Sequence, residues 1–113
     1  MHTLARPAHE AARCAAGDGK YWQYHDRLFE QQPAFRRADL LLYATELGLD
    51  RDAFARCIDE RRFAADVERD VTQAQALGVN STPAFLVNGR PVVGAISIDE
   101  FRAIIDEALR ARP

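Results

Sequence analysis

Between residues 84 and 95 the chain spells out a β-hairpin. Ala84–Val87 and Pro91–Ala95 are short β-type runs that meet at Asn88-Gly89. Asn-Gly accepts the positive φ angles that a two-residue hairpin turn demands, so the pair fixes both turn and register. Thr82-Pro83 leads into the first run. Proline lacks an N–H and fixes φ, which suits the start or edge of a strand and no other strand position. Read by themselves, these residues make Pro83 a strand opener with a trans bond, the ordinary state of X-Pro.

Everything upstream keeps a helical period. Ala8, Ala11, Ala12 and Ala15 follow Pro7, which suits a first helical turn, and Gly17-Asp18-Gly19 stops the run. A second helix carries Tyr21, Trp22, Tyr24, His25, Leu28 and Phe29 and ends before Pro33. A third, about 38–47, has Gly48 as a left-handed cap. Asp50 caps a fourth helix with Phe54, Cys57 and Ile58, and a fifth, about 63–77, aligns Val67, Val71 and Ala74. After the hairpin, Ser97 and Glu100 form a capping box. The final helix then carries Phe101, Ile104, Ile105, Ala108 and Leu109 as a core-facing stripe. The aromatic helix, with Trp22, Tyr21, Tyr24 and Phe29, reads as core packing.

Composition excludes several function classes. A net charge of −2 over 113 residues offers no basic field for nucleic acid or an anionic membrane. No apolar run reaches the roughly 20 residues that span a bilayer. No zinc spacing, phosphate loop or nucleophile elbow occurs, so neither metal nor cofactor is expected. His25 has no second ligand at i+4 and reads as a packing histidine; His2 and His9 read as solvated. Arg36-Arg37 and Arg61-Arg62 stand at helix ends, where cations suit the dipole. The start, Met1 to Pro7, lacks a basic-then-apolar signal pattern, which makes the chain cytoplasmic as written or begun downstream of its true start.

The run Gly78-Val79-Asn80-Ser81-Thr82-Pro83-Ala84-Phe85-Leu86-Val87-Asn88-Gly89, then Gly94-Ala95 and an amphipathic helix, resembles the C-terminal ββα part of DsbA-like thioredoxin-fold oxidoreductases. Ala12-Arg13-Cys14-Ala15, Gly19 to Phe29, Leu47-Gly48-Leu49-Asp50 and Phe54-x-x-Cys57 resemble the helical lobe inserted in that fold. The resemblance implies an α/β, incomplete thioredoxin-like fold of five helices, a hairpin and a C-terminal helix. It implies one domain over 1–113, with a helical lobe at about 6–77 and a ββα unit at about 82–111. It also implies a cis Thr82-Pro83 bond, with Thr82 and Pro83 positioning a protein or peptide substrate for thiol–disulfide exchange. The family's N-terminal strand, Cys-x-x-Cys helix and second strand have no counterpart in these residues, and without that dithiol the chain is expected to be inactive. Full-length relatives are usually exported.

Cys14 and Cys57 each sit within an apolar helix stripe, away from a helix N-terminus, and cannot stand in for the redox pair. Each reads equally as a small buried hydrophobe; by resemblance to family members with an extra disulfide in this lobe, they can instead be joined to each other. Two further readings stay open. One is a non-enzymatic binding module, a homodimer through the Ala84–Val87 strand edge, because a lone hairpin is marginal and its vacant edge is exposed. The other is a glutathione-dependent isomerase or transferase of the same architecture.

Overall fold

The computed structural model describes residues 3–111. Six helices and two strands follow in the order α1 (Ala5–Ala16), α2 (Tyr21–Glu30), α3 (Arg37–Glu46), α4 (Arg51–Asp59), α5 (Ala64–Ala76), β1 (Ala84–Val87), β2 (Arg90–Val93) and α6 (Ile98–Ala111). This is the expected α/β order of five helices, a hairpin and a helix. By internal packing the chain divides into two units, one up to Val71 and the other from Thr72 onward.

The helical unit is built around α1. Ala8, Ala11, Ala12 and Ala15 form a closely buried stripe, and such small side chains let α2 and α4 approach the α1 backbone. Tyr24, Leu28, Leu40, Leu41, Tyr43 and Phe54 complete the core. The Tyr24 ring lies 5.3 Å from that of Phe54, and its hydroxyl donates to the Leu40 carbonyl at 2.8 Å. The Tyr43 hydroxyl donates to the Ala34 carbonyl at 2.7 Å, so both buried phenols are satisfied. Asp50 caps α4 by accepting the Ala53 N–H at 3.0 Å.

The aromatic helix corrects the sequence reading. Tyr24 is fully buried, but Trp22 is 67% and Phe29 64% exposed. Trp22 and Phe29 lie outside the core, Trp22 meeting the rings of Tyr21 and His25 edge to face, whereas Tyr21 is partly buried against the core as expected. The 3.6-residue period turns Tyr24 and Leu28 to the side that is buried in the core and Trp22 and Phe29 to a side that stays exposed. His25 is partly buried, its Nδ1 3.0 Å from Asp26 Oδ1, and His9 is exposed. His2 lies outside the described residues.

A different surprise closes α4. The Arg62 N–H reaches the Cys57 carbonyl and the Arg61 N–H the Ile58 carbonyl, both at 3.1 Å, which is a Schellman ending with Arg61 in the left-handed position at φ 50°. Glycine is the usual occupant there, as Gly48 is after α3. Arg61 is held instead by Glu10, a buried α1 carboxylate that accepts from its Nη2 at 3.0 Å. Arg37 forks onto Asp59 with two 2.8 Å bonds and ties α3 to α4. Arg6–Glu68 and Arg13–Asp70 join α1 to the first part of α5, where Val67 is buried.

In the second unit β1 and β2 pair antiparallel, with Phe85 opposite Val92 and Leu86 opposite Pro91. Asn88 and Gly89 take φ 50° and 84°, the double left-handed turn that Asn-Gly announces. The Gly94 N–H donates to the Pro83 carbonyl at 2.9 Å. Because hydrogen-bonded pairs alternate along an antiparallel ladder, that contact turns the backbone groups of Ala84 and Leu86 outward on β1. On β2 it turns out those of Pro91 and Val93, and Pro91 has no N–H to offer. Phe85 packs edge-on against Phe101 of α6 with ring centroids 4.7 Å apart, and Val92 is buried beneath them. Ser97 caps α6, its hydroxyl accepting the Glu100 N–H at 3.1 Å.

The α6 stripe is narrower than expected. Phe101, Ile104 and Ala108 are partly buried, whereas Ile105 and Leu109 are 42% and 55% exposed. A two-stranded hairpin is too narrow to cover an apolar face of five residues. The stripe's other rows stay open among the described residues.

Candidate functional site

The site residues singled out by the sequence form two groups, one in each unit. In the second unit, Thr82 and Pro83 stand at the mouth of β1, both exposed. The Thr82–Pro83 peptide bond is cis. The Pro83 carbonyl is engaged by Gly94, which anchors the start of the strand while both side chains stay on the surface. Asn80 and Ser81 before them are exposed as well, so a stretch of accessible backbone runs into β1. Beyond Pro83, the outward backbone groups of Ala84 and Leu86 continue this hydrogen-bonding edge. The arrangement can receive an extended polypeptide by main-chain pairing.

In the helical unit Cys14 of α1 and Cys57 of α4 form a disulfide, with Cα atoms 6.1 Å apart. They are 7% and 6% exposed. Of the two readings left open by the sequence, the covalent pair is the one present. No free cysteine remains, so the 113 residues hold no thiol to act as nucleophile. The bridge and Thr82-Pro83 belong to different units.

The perturbed ionisable groups lie in the helical scaffold. Burial, with a smaller contribution from Tyr43, pushes the Tyr24 phenol far above its ordinary range. Burial likewise raises Tyr43, helped by Asp39 and Glu46 and opposed by Arg27. The hydrogen-bonded Arg37 guanidinium holds the Asp59 carboxyl below the usual carboxylate range. The tyrosine shifts arise in the packed core and the Asp59 shift in an exposed ion pair between α3 and α4. No cluster of His, Cys, Asp and Glu able to hold a metal ion occurs among the described residues, and none of their helices is long and apolar enough to cross a membrane.

Sequence reasoning singled out Thr82, Pro83, Cys14 and Cys57, of which the structure joins Cys14 to Cys57, and missed the Glu10–Arg61 pair. No local signal marks it, since the two residues are 51 positions apart and meet only when α1 packs beside the end of α4.

The sequence profile of the family described as Thioredoxin matches residues 2–107. The chain is 40% identical over 116 aligned positions to the Na(+)/H(+) antiporter NhaA 3 of Salinispora tropica, covering all of this chain and 18% of that protein. It is 36% identical over 103 positions to the Na(+)/H(+) antiporter NhaA of Herminiimonas arsenicoxydans, covering 91% of this chain and 17% of that one. It is 25% identical over 100 positions to the disulfide bond formation protein D of Bacillus subtilis, covering 81% of this chain and 44% of that protein. The chain thus spans under a fifth of the antiporters it matches and under half of the Bacillus protein. No solved structure matches it. Its ordered helical and ββα motifs, its fold and these relatives make the chain a member of the DsbA-like thioredoxin-fold family.

Proposed function

We propose that these 113 residues are the scaffold and substrate-docking part of a protein thiol–disulfide oxidoreductase whose exchange dithiol is not among them. The observation that carries this reading is an exposed Thr82-Pro83 at the head of an open strand in a chain whose only two cysteines are bonded to each other. Thr82 and Pro83 receive an extended client beside β1 and present its disulfide or dithiol to the missing pair. By themselves the residues bind and do not turn over. The relatives support a module that works within a larger protein, since it makes up a minor share of each. The buried disulfide supports an oxidising, extracytoplasmic setting.

The test pairs two assays on the 113-residue chain. Insulin reduction by dithiothreitol is expected to run at the uncatalysed rate, and acceleration would refute the absence of exchange chemistry. A cysteine-bearing extended peptide is expected to bind by calorimetry and to lose at least tenfold in affinity with Thr82→Arg. Unchanged affinity would remove Thr82-Pro83 from the docking site.

The open β1 edge favours a second reading, a non-enzymatic homodimer. Two β1 strands can pair antiparallel about a two-fold axis, Ala84 of one copy opposite Leu86 of the other, with Phe85 on the axis. Sedimentation at tens of micromolar decides it: this reading expects a dimer that Leu86→Pro dissociates, and a monomer refutes it.

A further inference from the structure

We propose that folding of the helical unit is gated by the oxidation state of Cys14 and Cys57: the unit closes as the disulfide and opens as the dithiol. The module is thereby itself a client of disulfide-forming chemistry.

The reasoning starts from the core. Alanines at 8, 11, 12 and 15 supply most of the α1 surface that is buried, and an alanine side chain removes little apolar area from water. Units of this size have little core to spare, and those with a thin one depend on a covalent or metal staple. The staple here is placed for greatest effect. It links α1 to α4 across 43 residues, so the closed loop contains all of α2 and α3. Closing a loop of that length in the unfolded chain raises the folded-to-unfolded ratio roughly a thousandfold. The ion pairs Arg37–Asp59 and Arg6–Glu68 run between exposed side chains, and Glu10–Arg61, which has one buried partner, is not covalent and closes no loop in the unfolded chain, so none of them replaces it.

Burial couples the chemistry to the folding. With both sulfurs shielded, an attacking thiolate meets them once the helices part. Reduction by a dithiol transfers two electrons and two protons, leaving Cys14 and Cys57 as thiols and the reductant as a disulfide. Re-formation returns them to a disulfide oxidant, such as glutathione disulfide, which leaves as two thiols.

The test follows urea unfolding of the full 113-residue chain by the fluorescence of Trp22, the only tryptophan and part of this unit, with helical circular dichroism alongside. Three samples are compared: the oxidised chain, the chain reduced by a phosphine, and Cys14→Ala/Cys57→Ala. The expected result is a folded oxidised chain and a reduced chain whose folded-to-unfolded ratio is about a thousandfold lower. The double variant should match the reduced chain and ignore reductant, and glutathione disulfide should restore helicity to the reduced wild type. Equal urea midpoints for oxidised and reduced wild type would overturn the proposal. So would a double variant that is unfolded while the reduced wild type stays folded, because the defect would then be one of packing.

Discussion

Replacing Tyr24 by Phe removes one hydroxyl from the centre of the helical unit and tests how burial is balanced there. At neutral pH the change deletes the 2.8 Å bond to the Leu40 carbonyl while leaving the ring against Phe54. That bond contributes about 1 kcal/mol net, so the variant should be less stable by that amount at pH 8. Alkaline pH reverses the order. Burial raises the folded-state pKa of Tyr24 above the ordinary value near 10, so the folded state keeps a proton that the unfolded state releases. The stability contributed by this group is fully present below pH 10 and is lost as pH rises above it. With the folded pKa beyond the range examined, the wild type loses about 1.4 kcal/mol between pH 8 and 11 through Tyr24, and Tyr24→Phe loses none of it. The two stability curves should therefore cross at roughly pH 10.6. Tyr43 titrates upward in both proteins and largely cancels in the difference. Urea unfolding at half-unit steps from pH 8 to 11, read by helical circular dichroism, measures both curves. Parallel curves over that range would refute the claim that Tyr24 is held protonated by burial.

Two other substitutions probe the local rules that shape each unit. Asp50→Ala removes the carboxylate that accepts the Ala53 N–H and should cost about 1 kcal/mol of helical-unit stability in urea unfolding. Gly89→Ala places a Cβ on a residue at φ 84° and should cost at least about 1 kcal/mol in the hairpin. Amide hydrogen exchange at Phe85 and Val92 would report that loss, with protection in α1 to α4 unchanged.

The features legible in the sequence were those set within a few residues. Asn88-Gly89 dictates its own turn, Asp50 and Ser97 announce their helices, and Thr82-Pro83 heads its strand because proline fits there. Cys14 and Cys57 were legible as a pair through resemblance, while the residues by themselves also allowed two separate hydrophobes. What escaped was set by partners. The period of α2 and α6 shows which residues share a face and says nothing about whether another element covers it. Trp22, Phe29, Ile105 and Leu109 are apolar and regularly spaced, yet exposed among the described residues. Arg61 escaped for the opposite reason. Its left-handed backbone departs from local preference, and its tether, Glu10, is remote in sequence.

The hairpin has two outer rails of unequal quality. On β1 Ala84 and Leu86 present both donors and acceptors; on β2 Pro91 deletes one of two outward N–H groups. A sheet lengthens indefinitely only if each added strand leaves a fresh rail on its far side. A neighbour that docks its own β1 here leaves β2 rails, each interrupted by proline, facing outward at both ends. Strand addition at this hairpin is thus self-terminating: proline at position 91 guards the unit against becoming the seed of a fibre.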